Sequence, residues 1–460
     1  SGADWVSAFE AARKAQAEFD KQCLELGRRA LEFCREHNIP PVVVIGRPYT
    51  IYNTVLNSNV PSILREQGAI GIPIDCFSVR KETPVFDMMY WGHGQRIMRA
   101  AHEVRRMPGV YSVYCSNYSC GPDSFILHFY SHIMEGKPFA IIETDGHSGD
   151  AGTKTRVEAF LHCVQQDRCV TRNGSGANDF QRLELEPMSL KEAASGGRTL
   201  LIPMMGPGSR ALEACFKGLG MSVEALSAPD RDCLRLGRRY TSGKECLPVC
   251  TTLGSLFQRL QSEPDKTRRF TYLMPRAQGP CRFGIYNLLN QIALDRLKLR
   301  DRVAIWSPVE SGYFDGLEPK VGVVVYSGWI AFDFLLAGLL HSRPVENQPG
   351  AARKIYDLYS SRLLERLEKV AGESTSTPGT LWKVVRGTLF GIKALVSEAA
   401  RDFARICTAA DKPLVLMVGE IYVRCDDFSN DSIVRKLEER GLRVRLAPFN
   451  EFMEYVDFYN

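Results

Sequence analysis

Six cysteines stand where the chain could hold soft-metal chemistry. Cys115 and Cys120 flank a loop in Tyr114-Cys-Ser-Asn-Tyr-Ser-Cys-Gly-Pro-Asp123, and Cys281 lies in Gly279-Pro-Cys-Arg-Phe-Gly284. Cys246 and Cys250 share the stretch Gly243-Lys-Glu-Cys-Leu-Pro-Val-Cys250, and Cys76 ends the apolar run 69–75. Iron in iron–sulfur clusters takes thiolate ligands. By position the six form two triads: Cys76, Cys115 and Cys120, then Cys246, Cys250 and Cys281. Three thiolates per four-iron cubane leave one iron open, for a substrate or for a sulfide shared with a second cubane. A Gly-Pro pair adjoins a cysteine in each triad, at 121–122 and 279–280. Glycine lets backbone approach a cluster and proline stiffens the loop. The short paired CxxC knuckles of structural zinc do not occur in the sequence. Of the 14 cysteines, Cys23, Cys34, Cys163, Cys169, Cys215, Cys407 and Cys425 are expected as small buried hydrophobes. Cys233 is an alternative member of the second triad.

A second candidate is the loop Glu143-Thr-Asp-Gly-His-Ser-Gly-Asp150, with Lys154 and Arg156 close behind. His147 and Glu143 are expected to move protons there, or to hold an anion. The turn Gly46-Arg-Pro-Tyr49 lacks the glycine-rich phosphate fingerprint, and no Walker motif occurs, so ATP hydrolysis by this chain is not expected.

These residues need a scaffold that delivers them to one edge. The runs 41–45, 69–75, 110–114 and 138–144 read as strands, with helical stretches at 60–67, 88–102 and 124–135 between them. Buried β-α-β alternation implies a parallel, doubly wound sheet, whose ligands gather at the strands' carboxyl ends. The pattern restarts at 199–203 and again at 414–418: apolar strand, glycine turn, helix, glycine, strand. It is a weak internal repeat of related α/β lobes. Residues 5–36 have helical periodicity, with a break expected near Gly27. The stretch 171–197 reads as a connecting loop. Residues 354–370 and 381–406 read as long helices. The expected fold is α/β, with two or more Rossmann-like lobes on parallel sheets, an N-terminal amphipathic helix and a helical segment before the C-terminal unit. The expected domains are an N-terminal helix (1–36), a first cluster-binding lobe (37–195), a second with long helices (196–411), and a C-terminal β-α-β unit returning to a lobe (412–460).

The apolar run 321–340 has the length of a membrane span but carries Asp333 at its middle. A strand at 321–326, a turn, and a helix from 330 are expected instead, with no membrane partner. At 460 residues, with net charge +5 and no Lys/Arg block, the chain is expected to have two or three domains and no nucleic-acid partner. Ser1-Gly2 reads as a cloning remnant, so the natural chain is expected to begin earlier. The absence of a charged-then-apolar leader in these residues gives the expectation of a cytoplasmic protein with reduced thiols.

Several motifs together resemble a known family. They are Gly46-Arg-Pro-Tyr49 with 57–61; Cys120-Gly-Pro-Asp123; Asp145-Gly-His-Ser-Gly-Asp-Ala-Gly-Thr-Lys-Thr-Arg156; Gly243-Lys-Glu-Cys-Leu-Pro248; Gly279-Pro-Cys-Arg-Phe-Gly284; and Gly419-Glu-Ile-Tyr-Val-Arg424 with Phe428-Ser-Asn430. In order over residues 40–455, they resemble the acyl-CoA dehydratase activase-related family. That family is akin to the cluster subunits of 2-hydroxyacyl-CoA dehydratases and to double-cubane cluster proteins. The resemblance implies an ATP-hydrolysing iron–sulfur activase, separate or fused upstream, that injects low-potential electrons. The expected function is then a reductase component acting on a small substrate at a double-cubane [8Fe–9S] cluster. The alternatives are a dehydratase-like lyase with a [4Fe–4S] cluster, and a non-catalytic electron-transfer module. Asn53 departs from the acidic residue expected of the family at that position. The apolar stripe of residues 5–36, set against a two-fold activase, gives the expectation of a homodimer.

Overall fold

The computed structural model describes all residues except 1–3, 87, 119, 145–148, 170–187, 278, 310–316, 374–375, 452–454, 456–457 and 459–460. Two compact units emerge. One comprises Ser1–Leu185 with Ala277–Ile292, the other Glu186–Arg276 with Ala293–Asn460.

The first unit runs α1 (Trp5–Glu36), β1 (Pro41–Gly46), α2 (Pro48–Ile51), α3 (Val60–Glu66), β2 (Ile70–Pro73), α4 (Gly92–Arg106), β3 (Tyr111–Asn117), α5 (Asp123–Met134), β4 (Phe139–Thr144) and α6 (Asp150–Cys169). Its sheet has the order β2-β1-β3-β4 and every pair is parallel. Helices cover both faces of such a sheet, so central strands become unbroken apolar runs. In β1 every residue of Val42-Val-Val-Ile45 is buried.

α1 is continuous, which corrects the expected break at Gly27. Glycine is needed at 27 because a Cβ there would lie 1.7 Å from the carbonyl oxygen of Cys76, in the 3₁₀ turn Ile74–Cys76. Trp5, Phe9 and Phe19 on the same helix stay exposed.

The second unit contains α7 (Leu190–Ala193), β5 (Thr199–Ile202), α8 (Gly208–Gly218), β6 (Val223–Ala225), α9 (Arg231–Arg238), α10 (Leu247–Ser262) and β7 (Phe270–Leu273). There follow α11 (Tyr286–Arg296), which begins in the first unit, and β8 (Val303–Trp306). Its sheet is parallel with the order β6-β5-β7-β8, the same order as in the first unit. Next come α12 (Pro319–Ser342), α13 (Ala351–Gly372), α14 (Thr377–Val385), α15 (Ile392–Ile406), β9 (Leu414–Met417), α16 (Ile421–Cys425), α17 (Ile433–Glu439) and β10 (Arg443–Leu446).

Three expectations change here. The run 321–340 is one helix, not strand-turn-helix. Its Val321, Val324, Phe332, Leu335 and Leu339 join a core built with residues of α8, α13 and α15, so β-branched residues are drawn into a helix by packing on several sides. Among the described residues α12, with the turn Arg343–Val345, is the one helix long and apolar enough to cross a membrane. The stretch 381–406 is two helices, because Phe390 (φ 57°) and Gly391 (φ 85°) take left-handed backbone between them. β9 and β10 form a separate two-stranded parallel sheet on α12, through Leu340, Val434 and Val444, rather than extending a four-stranded one.

Candidate functional site

In the order β2-β1-β3-β4 the chain leaves β1 in one direction and returns to β3 on its other side. The crevice between the carboxyl ends of β1 and β3 is therefore the switch point where such sheets bind ligands. The turn after β1 supplies Arg47, Tyr49 and Thr50; the loop after β3 supplies Cys120, Gly121 and Asp123. Thr50 Oγ1 accepts from the Arg47 amide (3.1 Å) and lies 3.0 Å from the Cys115 carbonyl oxygen, locking the turn to β3.

Arg47 and Asp123 are both buried, and Arg47 Nε donates to Asp123 Oδ1 at 2.9 Å. Ser116 Oγ donates to Asp123 Oδ2 at 2.8 Å. Burial works against the Arg47 charge, but Asp123 and the nearby Cys120 outweigh it and raise its pKa. Tyr49 is exposed, and its phenol hydrogen-bonds the Cys120 thiol; partial burial first, then that contact, push the phenol up. Cys120, half-buried, thus lies beside a cation and a hydroxyl donor, one residue pair ahead of the α5 N-terminus.

Cys281 comes to this same unit. Its segment, Ala277–Ile292, packs on α5 within the first unit. Arg282 Nη1 donates to the Gly121 carbonyl (3.3 Å) and to Ser124 Oγ (3.2 Å). Tyr286 stacks on Phe125, with ring centroids 5.5 Å apart and planes 6° from parallel. Cys281 is exposed at the start of the 3₁₀ turn Arg282–Ile285. The structure therefore places Cys281 in the same unit as the Cys120 loop.

The other predicted ligands differ in surroundings. Cys115 is fully buried in β3 near Tyr130, and burial pushes its thiol up to about 12. Cys250 is buried in α10; burial raises its thiol, and Thr241 Oγ1 lies 3.6 Å away. Cys76 lies under α1 with its thiol beside that of Cys23. Cys246 is part-buried at the N-cap of α10. Glu143 lies in β4, with Ser116 as its register partner on β3. His147 falls outside the described residues. Among the described residues no three His, Cys, Asp or Glu side chains form a group that could hold a metal ion. As donors, the half-buried Cys120 and the exposed Cys281 are open to a thiolate-bound cluster, whereas Cys115 and Cys250 are buried.

The sequence reading did not select Arg47, Tyr49, Asp123 or Cys23 as site residues. For Cys23 the signal was present. Cys23-Leu-Glu-Leu-Gly-Arg-Arg29 recurs as Cys233-Leu-Arg-Leu-Gly-Arg-Arg239. In the first unit Gly27 abuts Cys76; in the second, a Cβ at Gly237 would lie 1.8 Å from the Cys250 carbonyl oxygen, and one at Gly254 1.8 Å from that of Cys233. Each unit thus seats the same heptapeptide's glycine on a cysteine's backbone.

Residues 1–77 match the model of a family described as the CoA enzyme activase uncharacterised domain, DUF2229. The match spans α1 to the turn that carries Cys76, so it includes Cys23, Arg47 and Tyr49. It ties this part of the chain, at a coarse level, to an activase-related family and an enzyme-linked role. No curated protein and no solved structure matches the chain.

Proposed function

We propose that the protein is the cluster-carrying component of an activase-driven enzyme system, with Cys120 and Cys281 as thiolate ligands in the first unit. The observation that carries this reading is the hydrogen-bonded clip from Arg282 to Gly121 and Ser124, which presents both cysteine loops on the same helix end. Cys246, at a helix N-terminus in the second unit, has the same chemistry available. An ATP-hydrolysing iron–sulfur activase is the electron donor in this reading, and the substrate is a small molecule, with CoA thioesters the class to test first. The reading favours a [4Fe–4S] cluster over the [8Fe–9S] double cubane, because two of the six thiols that the larger cluster needs are core residues.

A four-iron cluster, when bound, supplies one-electron chemistry at low potential. The chain's own residues set its surroundings. The Arg47–Asp123 pair fixes the two loops on β1 and β3. Tyr49 donates to the Cys120 sulfur once that thiol is ionised, and Arg47 adds positive charge beside it. Hydrogen bonds to ligand sulfur and a nearby cation both raise a cluster's potential.

The test is anaerobic reconstitution of the full chain with iron and sulfide, followed by quantitative assay of both. The expected result is about four irons per chain. About eight restores the double cubane; no iron above a metal-free control protein ends the iron–sulfur reading.

A further inference from the structure

We propose that Cys23 and Cys76 form a redox-modified pair, a dithiol that a peroxide converts into a disulfide pinning α1 to the turn after β2. The proposal is independent of the cluster. Residues four apart lie on one face of a helix. Gly27 sits on the Cys76 backbone, with the position of its missing Cβ 3.2 Å from Cys76 Cβ, so Cys23 stands one turn away on the face that meets Cys76. The Cys23 thiol lies near enough to Cys76 to raise its thiol. Both are half-buried rather than sealed, so a small oxidant can reach them. Around them Tyr52 donates to Asp75 at 2.6 Å, and Arg96 pairs with Asp75, placing a cation beside Cys76. Burial and then the Cys23 thiol push the Cys76 thiol up, and Arg96 offsets only part of that.

The second unit supplies an internal control. Cys233 and Cys250 stand at the same points of the repeated glycine contact, yet both are buried. Cys233 Sγ is bonded to Gln258 Oε1 at 3.0 Å, and Cys250 Sγ lies by Thr241. The same motif thus occurs once open to oxidant and once closed.

The chemistry balances. One thiolate attacks a peroxide oxygen, the O–O bond breaks, and a sulfenic acid forms as hydroxide leaves and takes up a proton. The second sulfur attacks the sulfenic sulfur, the S–O bond breaks, and water leaves. Two thiols give up two electrons and two protons, and hydrogen peroxide becomes two waters. A reducing dithiol reverses the bond by exchange.

The experiment uses the full chain, reduced and then exposed to hydrogen peroxide under anaerobic conditions. Remaining thiols are alkylated, and the protein is digested without reductant for mass spectrometry. The expected result is a Cys23–Cys76 linked peptide pair, lost on dithiothreitol treatment, and at least about tenfold more abundant than any Cys233–Cys250 link, following thiol access. In C23S the link vanishes and Cys76 accumulates as a singly oxidised thiol. Separate alkylation of Cys23 and Cys76, or their independent oxidation to sulfinic acid with no link, overturns the proposal.

Discussion

Two four-stranded sheets of one order end in different chemistry. In the first unit the β1 and β3 carboxyl ends hold a buried ion pair, Arg47–Asp123, with Tyr49 and Cys120 at its side. In the second, the turn after β5 is neutral. Ser209 Oγ accepts from the Met205 amide (2.9 Å) and donates to the Pro203 carbonyl (2.8 Å). Trp329 Nε1 donates to the Gly208 carbonyl at 3.1 Å, and the Trp329 ring packs on Phe449. The cavity left there has a volume of about 20 Å³, room for one water at most. One topology thus serves once as a crevice with a buried ion pair beside a thiol, and once as a small cavity closed by Trp329, where Asp333 accepts from backbone amides and Cys425 lines the wall. The difference teaches that strand order offers a crevice, while the residues of two short turns decide whether it stays open to chemistry.

The largest expected effects break this contrast at its two centres. Asp123→Ala leaves the Arg47 guanidinium buried without its carboxylate, and should destabilise the first unit by about 3–5 kcal/mol in urea unfolding. Trp329→Ala removes the plug of the second unit and should cost about 3–5 kcal/mol, through a cavity rather than a charge. The two are told apart by charge. Combining Asp123→Ala with Arg47→Met should recover part of the first loss, whereas no charge change repairs the second. Absence of that recovery would mean the ion pair does not organise the crevice.

Smaller effects sharpen the parts that the units share. Gly27→Ala and Gly237→Ala each force a methyl onto a cysteine carbonyl, and each should cost about 1–3 kcal/mol. Equal losses by thermal unfolding fit the repeated contact; an unaffected Gly27→Ala would show that α1 is not seated there. Smallest is Ser209→Ala, which removes neutral hydrogen bonds and should cost about 1 kcal/mol.

The doubly wound architecture was legible because buried parallel strands leave uninterrupted β-branched runs, as at Val42–Ile45, and glycines mark the turns. The identity of α12 was not, since Val321-Gly-Val-Val-Val325 has strand composition and only its partners in α8, α13 and α15 make it a helix. Spacing also could not say which lobe Cys281 serves. It follows a strand of the second sheet, but Arg282 and Tyr286 fasten its segment to α5 of the first unit. Nor could spacing separate Cys115 from Cys120. Five residues apart, one is a strand residue packed near Tyr130, and the other lies half-buried in a loop beside Tyr49.

That last distinction is the central claim, and one comparison tests it. The full chain and its C120A, C281A, C115A and C250A variants are reconstituted anaerobically with iron and sulfide, and bound iron is measured on folded protein recovered by gel filtration. Cys120→Ala and Cys281→Ala should each lose most of the bound iron, while Cys115→Ala and Cys250→Ala keep it at the wild-type level. Loss of iron in Cys115→Ala equal to that in Cys120→Ala, with both proteins folded, would contradict the assignment of the ligands to the open crevice and return the six-thiol cluster.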